Sequence, residues 1–504
     1  MRKFAFVPWV AYLPLAACSL MPRYEPPANP APAHYQQFNP QQGCDSTQLG
    51  TLEQSRAATA ADMQSTCSWG PAHPSDQLPR NDWWREFADP NLDTLEAKID
   101  SSNPELAAAL NRYQQARALE SEVRSARFPT VSTQAYVNAD RQSDNRPLRS
   151  ASQPDSYHDD FIGGALNYEI DLWGRVRSAV ASGTAQTQAL SADLESVRLL
   201  LHARLALDYI ALRGEDGQRA LLEQAVVAYG RALQMTSTRF EGGISSALDV
   251  AQAQTQLESA RAALTEVIDH RSLLEHAIAA LTGSIASDFS IDPGSLDLKL
   301  PNVPVAMPAT LLERRPDVAA AERKMAAFNA EIGVARAAFF PRISLAAIAG
   351  FQSTQTAGLL GAPNRFWAIG PQGALTLFDA GFRRAVVANA RAKFDQATND
   401  YRGSVLSAFQ EVEDALAQDR LLQQEFDQQQ AARSAAERAL ALSLNRYENG
   451  AVNYLQVVTS QIAALQAQRA ALDLQTRELQ ASVNLVRALG GGWQAGWLAT
   501  AQSR

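Results

Sequence analysis

The sequence predicts an internally duplicated membrane protein of mixed α and β structure. Three observations lead to this fold class: four short motifs occur twice, four stretches alternate apolar and polar residues, and two stretches of about 65 residues contain no proline. A repeat of roughly 200 residues is too long for a solenoid and indicates two equivalent halves of one architecture. The alternation indicates β-strands, and the long proline-free stretches indicate α-helices.

The duplicated motifs set the lengths of the two halves. They are Asn103-Pro104-Glu105-Leu106 with Arg315-Pro316-Asp317-Val318, Phe128-Pro129 with Phe340-Pro341, Asp171–Gly174 with Phe378–Gly381, and Arg239–Gly243 with Arg446–Gly450. The first two motifs are about 25 residues apart in both halves, and the last two are about 65 residues apart. Only the segment between them differs, by about five residues. We therefore expect rods of fixed length joined by one loop of variable length.

The chain begins with the features of a bacterial lipoprotein signal peptide over residues 1–17. Two basic residues precede an apolar stretch of about a dozen residues, which is too short to span a membrane as a helix. The stretch leads into Leu15-Ala16-Ala17-Cys18, which resembles a lipobox, so we expect lipidation of Cys18. Ser19, in place of an aspartate, favours sorting to the outer membrane. In the alternative, ordinary cleavage occurs near residue 17 and Cys18 is incidental.

Residues 18–90 are interpreted as the lipid anchor and an N-terminal extension, because they are rich in Pro, Gln, Ser and Ala and show no sustained period. Cys44 and Cys67 lie about 23 residues apart within it. In an oxidising periplasm they are candidates for a disulfide, and the alternative is two free thiols.

The sequence predicts the same order of elements in each half. The first structural repeat spans 91–283 and the second spans 309–491, each with a helix, a β-hairpin, a long helix, a tip turn and a return helix. The hairpins are predicted at 130–172 and 342–378, where the period changes to two. An equatorial connection is predicted at 284–308, and a C-terminal tail at 492–504.

The four predicted strands of about 9–12 residues have the length and one-sided polarity of transmembrane β-strands. An ordinary amphipathic sheet packed on a core is the alternative. The predicted sorting to the outer membrane favours membrane-spanning strands. Open sheet edges are not stable in lipid, because their backbone groups would be unpaired. Four strands cannot close a barrel alone, so several protomers must share one barrel. Three protomers would supply twelve strands.

The long helices, at about 177–240 and 384–447, need partners because no globular core lies along them. Apolar residues recur on one stripe of each, so we expect them to pack on one another as in a coiled coil. The return helices cover only about half of each rod. The connection at 284–308 and the segment around Trp83-Trp84 are therefore expected to form a belt at mid-height.

Four motifs together are specific enough to compare with a known family. They are Cys18–Tyr24, Tyr168–Arg175, the two Arg-aromatic-x-x-Gly turns and Ala488–Trp493. They resemble the motifs of the outer membrane efflux protein family, the TolC-like outer membrane factors, in its lipoprotein branch. The resemblance extends over nearly all of the chain from Cys18 to Gly492.

The resemblance implies a homotrimer whose twelve strands form one outer-membrane β-barrel, continued by a long periplasmic α-helical barrel with a mixed α/β equatorial belt. It implies a passive conduit from the periplasm to the exterior, gated at its periplasmic tip, within a tripartite efflux or export system. The implied partners are the lipid bilayer, a periplasmic adaptor of the membrane fusion type and an inner-membrane transporter of the resistance-nodulation-division type.

The resemblance also implies candidate gate residues at the tip turns. The turn glycines are Gly242, Gly243 and Gly450, Arg446 and Tyr447 match tethering positions, Leu455 matches an apolar constriction, and Gln456 and Thr459 stand where relatives often carry Asp. The first half has Asp249 at the position equivalent to Gln456. We expect a leucine ring and at most one acidic ring, from Asp249. The alternative for Asp249 is a helix N-terminal charge stabilised by the helix dipole.

Composition and motifs argue against several other functions. A formal net charge of −8 gives no indication of a nucleic-acid surface. The six His residues are scattered, and the sequence contains no HExxH, GxSxG or Walker motif, so we expect no catalytic residue, metal or cofactor. The remaining alternative is a lipid-anchored helical scaffold or binding protein of the periplasm, without a pore.

Overall fold

The structure is a computed structural model, and it describes residues 19–25, 80–147, 150, 152, 154–301 and 315–491. Predictions for the signal peptide, Cys18, Cys44, Cys67 and the tail at 492–504 lie outside these residues. The chain divides into two compact units. Unit 1 comprises Met1–Pro27, Tyr113–Leu190 and Ala321–Tyr401, and unit 2 comprises Ala28–Arg112, Ser191–Ala320 and Arg402–Arg504.

The described helices and strands repeat in one order in the two halves, and the first half has an additional helix, Pro90–Ser102, at its start. Their bounds are α1 Pro90–Ser102, α2 Pro104–Ser125, β1 Thr130–Arg141, β2 Ser156–Glu169, α3 Arg175–Glu241, α4 Ala247–Leu281, α5 Pro316–Ala337, β3 Arg342–Ser353, β4 Arg365–Ala374, α6 Phe382–Glu448 and α7 Tyr454–Ala488. The two long helices, α3 and α6, each have 67 residues, and the two return helices, α4 and α7, each have 35. The equal lengths reflect the duplication seen in the sequence. Among the described residues, no helix is both long and apolar enough to cross a membrane.

The sheet of unit 1 has the order β1-β2-β3-β4, and every neighbouring pair is antiparallel. The prediction of four strands per chain is therefore confirmed. The two central strands are paired on both sides, whereas β1 and β4 each have a neighbour on one side only. An edge strand of this kind presents unpaired backbone N–H and C=O groups, which can pair with a further strand.

A pair of glycines allows the two central strands to approach under an aromatic cluster. Gly163 on β2 lies opposite Gly350 on β3. The ring of Phe161 covers Gly163, where an added Cβ would lie 2.8 Å from its Cζ. Phe161 also stacks on Tyr136, with ring centroids 5.0 Å apart, and lies 5.6 Å from the ring of Phe366. The glycines thus give the rings room to lie flat on the sheet.

The first described residues, Ser19–Glu25, pack against helix α5 in unit 1. Asn329 donates from Nδ2 to the carbonyl of Pro22 at 2.9 Å, and the Tyr24 hydroxyl donates to Glu322 Oε1 at 2.6 Å. Met21 lies so close to Gly333 that an added Cβ would be 2.9 Å from its Cα. These contacts fix the chain that follows Cys18 along the helix.

Unit 2 contains a buried network of charges that holds a loop onto helices α3 and α4. Asp216 accepts from Arg213 at 3.0 Å and from Arg271 at 2.6 Å. The two guanidinium groups also donate to the carbonyls of Asp292 and Ile291. Buried charges are stable only when paired and hydrogen-bonded. This network therefore explains how the described part of the connection, 284–301, is held although it has only a short 3-10 helix.

A second buried cluster in unit 2 joins helix α1, helix α3 and the 3-10 helix at Arg80–Phe87. His202 on α3 contacts Glu96 on α1, with 2.6 Å between Nδ1 and Oε2, and its Nε2 lies 3.6 Å from Asp100 Oδ2. The indole ring of Trp84 stacks on the imidazole with centroids 4.4 Å apart. Burial lowers the pKa of His202, but the two nearby carboxylates, Asp100 and the hydrogen-bonded Glu96, outweigh it and raise the pKa to about 9.

We expect this cluster to make the free energy of unfolding pH-dependent. The pKa of His202 is raised above its ordinary 6.5 to about 9. The stabilisation of the folded state by His202 is therefore complete below pH 6.5 and is lost as the pH rises through 9. Burial raises the pKa of Glu96 to about 7, so the free energy of unfolding also falls as the pH rises through 7. Denaturant unfolding monitored by tryptophan fluorescence should show falling stability from about pH 6.5 to pH 9.

The control for this prediction is His202→Gln, which keeps a polar side chain but cannot gain a proton. Its unfolding free energy should be lower than that of the wild type at pH 6.5 and should fall less steeply up to pH 9, since only the part due to Glu96 remains. An equally steep loss of stability in His202→Gln would contradict the assignment to this histidine.

Candidate functional site

Two tip turns, Phe240–Ser246 and Tyr447–Asn453, join the long helices to the return helices in unit 2. In the first, Gly243 has φ 71° and Ile244 N donates to Arg239 O at 2.8 Å. In the second, Gly450 has φ 71° and Ala451 N donates to Arg446 O at 2.8 Å. Both are Schellman motifs, in which only glycine adopts the left-handed conformation at little cost. The predicted turn glycines Gly243 and Gly450 therefore occupy equivalent positions, 207 residues apart.

The two return helices begin with different caps. Ser246 and Asp249 form a capping box, in which Asp249 Oδ2 accepts from Ser246 N at 3.0 Å and from its hydroxyl at 2.9 Å. In the second half Asn453 accepts from Gln456 N at 3.3 Å, and Gln456 makes no reciprocal bond. The structure thus shows Asp249 as a capping residue at a helix N-terminus. Its role in an acidic ring stays a prediction.

Arg239 of the first turn holds the end of the long helix that precedes the second turn. Its guanidinium lies 4.5 Å from the ring centroid of Tyr447. It also donates to the carbonyls of Tyr447 and Glu448, at 3.3 and 3.4 Å. A cation at this place stabilises both the aromatic ring and the carbonyl end of the helix dipole. The contact fastens the two tip turns to each other within one protomer.

Tyr447 is buried in an apolar cluster beneath the turns. Only 5% of its surface is exposed, and its ring packs on Tyr454 with centroids 5.4 Å apart. The other buried members are Ala232, Ala253, Val457 and Val458. Burial, with nearby negative charge including that of Asp249, raises the pKa of Tyr454 to about 12. The Tyr454 phenol is therefore neutral at physiological pH.

The remaining predicted gate residues lie on the surface of the protomer. Leu455 is 51% exposed, and its equivalent in the first half, Leu248, is 65% exposed. Gln456, Thr459 and Arg446 are also exposed, and the Thr459 hydroxyl donates to the Leu455 carbonyl at 2.9 Å. The exposed leucines and amide are therefore available to other copies of the chain or to a partner.

The sequence prediction named Arg446 and Tyr447 as tethering positions and did not single out Arg239 as a site residue. In the structure Tyr447 contacts Arg239, while Arg446 has no ion pair or side-chain hydrogen bond within the described ranges. The signal was present in the duplication, because Arg239 is the equivalent of Arg446 at an offset of 207. The site consists of apolar, aromatic and amide groups with two arginines, Arg239 and Arg446, and the carboxylate of Asp249. Within the described parts of the chain no group of His, Cys, Asp and Glu is suited to hold a metal ion.

Comparison with protein families gives a match to the model described as outer membrane efflux protein, over residues 97–284 and 307–491. The outer membrane protein OprJ of Pseudomonas aeruginosa is 32% identical over 501 residues, which cover 98% of each chain. The toluene efflux pump outer membrane protein TtgI of Pseudomonas putida is 32% identical over 97% of this chain and 99% of its own length. The pyoverdine export outer membrane protein OpmQ of Pseudomonas aeruginosa is 30% identical over 84% of this chain and 89% of its own length.

Two solved structures are similar over most of their length. The outer-membrane channel OprN superimposes with a TM-score of 0.78 at 30% identity, covering 82% of this chain and 92% of that one. The Neisseria gonorrhoeae MtrE outer membrane channel, in its open state, superimposes with a TM-score of 0.77 at 25% identity, covering 95% and 99%.

Proposed function

Because this chain belongs to the outer membrane efflux protein family, we propose that three copies of it form one passive channel, gated at the tip turns, in a tripartite efflux or export system. The chain is an outer-membrane efflux component, a transport conduit rather than an enzyme. The proposal concerns the assembly, the gate and the partners.

The observation that carries the proposal is the pair of open edges in the four-stranded sheet. β1 and β4 are both edge strands, and lipid does not tolerate unpaired backbone groups. If β4 of one copy pairs with β1 of the next, the contact is heterologous and closes into a ring. Three copies give twelve strands, a number at which a barrel leaves an interior wider than side chains fill. Helices α2 and α6 are largely exposed in unit 1, which leaves them free to meet between copies.

The partners proposed are a periplasmic adaptor of the membrane fusion type and an inner-membrane transporter, of the resistance-nodulation-division type. The names of the relatives support membership of a larger pump, since TtgI belongs to a toluene efflux pump and OpmQ serves pyoverdine export. The types of adaptor and transporter are those that the family resemblance implies. A conduit needs energy from elsewhere, since the tip site contains no catalytic grouping. Lipidation of Cys18 would anchor the channel in the same membrane.

A gate at the tip predicts that Leu455→Ala increases the conductance of the purified protein in planar bilayers. The side chain is exposed in one protomer, so its removal should cost little folding energy and should act by widening an apolar constriction between copies. We expect a conductance several-fold above that of the wild type. A bacterial strain that produces the Leu455→Ala variant should become more sensitive to a large antibiotic such as vancomycin.

The matched control is Leu248→Ala, which removes the same side chain at the equivalent position of the first half. It should leave conductance unchanged, because the apolar constriction is assigned to Leu455 in the second half and not to Leu248. Unchanged conductance in Leu455→Ala would reject the leucine ring. Wild-type protein that remains monomeric on gels without heating, and does not conduct, would instead favour the helical scaffold without a pore.

A further inference from the structure

Four segments of unit 1 meet at one end of the sheet, and we name them the collar. They are residues 124–129, 169–177, 336–342 and 374–384. β1 begins at Thr130, β2 ends at Glu169, β3 begins at Arg342 and β4 ends at Ala374. Because the four strands are antiparallel neighbours, these strand ends lie side by side. The collar is therefore a continuous band along the edge where the strands give way to helices.

The collar is strongly basic although the chain as a whole is acidic. It contains eight Arg and three acidic residues, a formal charge of +5, whereas the chain carries −8. The arginines are Arg124, Arg127, Arg175, Arg177, Arg336, Arg342, Arg383 and Arg384. Concentration of one charge on one band indicates a partner of the opposite charge.

Internal ion pairs account for only part of this charge. Glu169 accepts from Arg175 at 2.7 Å, and Arg342 is a further 3.8 Å from the same carboxylate with 65% of its side chain exposed. Asp171 and Asp379 pair with Arg177 and Arg383, and Arg124 pairs with Glu120 just outside the collar. Over the described ranges, three arginines have no carboxylate partner: Arg127, Arg336 and Arg384. Their guanidinium groups are available to a bound anion.

Aromatic side chains lie among these arginines and are exposed in the single protomer. Phe378 is 87% exposed, and Phe128, Phe339, Phe340 and Phe382 are also exposed. Arg383 lies 5.2 Å from the ring centroid of Phe339. Paired arginine and aromatic side chains are typical of the level at which lipid headgroups meet acyl chains.

A cavity of about 520 Å³ opens within the collar. Its lining includes the rings of Trp173 and Phe340, three arginines, Arg175, Arg342 and Arg383, and three carboxylates, Glu169, Asp171 and Asp379. Trp173 stacks on Phe340 at 4.9 Å and donates to the Pro341 carbonyl at 2.8 Å, so its indole is fixed in the wall. The lining has as many carboxylates as arginines, so the cavity suits the first methylenes of a lipid rather than its charge. The unpaired arginines of the collar, which are not part of the lining, are the groups left for a lipid phosphate.

We propose that the collar binds anionic phospholipid of the inner leaflet, with the lipid phosphate on the arginines and the acyl chains along the phenyl rings. The leaflet assignment rests on the proposed function of the chain as an outer-membrane channel. The predicted lipid anchor would lie at the same level. Ser19, the residue after the expected lipidation site, lies at the collar, with its Cα 3.4 Å from an added Cβ on Gly174.

The test compares lipid binding to two matched double variants. Arg127→Gln with Arg384→Gln removes two exposed and unpaired collar arginines. Arg112→Gln with Arg438→Gln removes two arginines of unit 2 that also have no ion pair within the described ranges, so net charge changes equally. Each purified, delipidated protein is titrated with dioleoyl-phosphatidylglycerol or dioleoyl-phosphatidylcholine. Native mass spectrometry then reports oligomeric state and bound lipid together.

The wild type and the unit 2 variant should bind phosphatidylglycerol more tightly than phosphatidylcholine. In the collar variant this preference should fall by about fivefold per arginine. Inorganic phosphate at millimolar concentration should not displace the lipid, because it lacks the acyl chains; displacement would identify a free-anion site and overturn the proposal. An equal preference in all three proteins would also overturn it, as would loss of the trimer in the collar variant with its lipid preference intact.

Failure of the collar and failure of the proposed channel are separable. Conductance is measured for the same three proteins in bilayers of phosphatidylcholine alone, where the collar has no anionic ligand. Wild-type protein that conducts there but shows no preference for phosphatidylglycerol contradicts the collar and leaves the channel standing. Protein that prefers phosphatidylglycerol but does not conduct contradicts the channel, and with it the assignment to the inner leaflet.

Discussion

Gly350→Ala is expected to prevent stable assembly of the sheet, although it adds only one methyl group. An added Cβ on Gly350 would lie 2.4 Å from the carbonyl oxygen of Ile162 and 2.6 Å from Gly163 Cα. Both neighbours are backbone atoms of the paired strand β2, so they cannot turn aside as a side chain would. The strands must separate, and the cost should reach about 3 kcal/mol or more, since overpacking alone costs about 1–3 kcal/mol.

The measurement is the melting of the purified oligomer on gels, with and without heating. Gly370→Ala provides the control, because it makes the same change on β4 where an added Cβ meets nothing within 4 Å. The Gly370 variant should melt close to the wild type. The prediction is wrong if the Gly350 variant melts within a few degrees of the Gly370 variant.

The element order could be predicted from the sequence because strong local signals mark the ends of the elements. Proline at the start of α2 and α5, and glycine with φ 71° at both tip turns, act on the backbone directly. After Pro129 the apolar and polar residues begin to alternate with a period of two, and this change marks the start of the first hairpin. Helix α1 was not predicted, although Asp89 as N-cap before Pro90 is a readable signal.

Contacts between distant segments could not be predicted in the same way. The pairing of Gly163 with Gly350 depends on the register of β2 against β3, which period-two alternation leaves open by steps of two residues. The contact of Arg239 with Tyr447 depends on how two helix ends pack. The duplication predicts that Arg239 and Arg446 occupy equivalent turns. It does not say which of them reaches the tyrosine, because the two halves pack differently.

That difference in packing leads to the second large effect, for Tyr447→Ala. Tyr447 and Phe240 occupy equivalent positions of the two tip turns, yet Tyr447 is 5% exposed and Phe240 is 47% exposed. Removing the buried ring empties the cluster around Tyr454 and leaves Arg239 without its aromatic partner. Truncation of a buried aromatic costs roughly 3–5 kcal/mol, whereas truncation of an exposed one costs about 0.5 kcal/mol.

Because the cluster lies under both turns, the loss should appear as a defect of the closed tip rather than of the sheet. Tyr447→Ala should therefore raise conductance in planar bilayers several-fold while the purified protein still runs as an oligomer on gels without heating. Phe240→Ala, which deletes the equivalent ring, should conduct as the wild type does. Equal conductance in the two variants would mean that burial beneath the turns does not hold the tip closed, and the gate would then have to lie in the exposed residues around Leu455 alone.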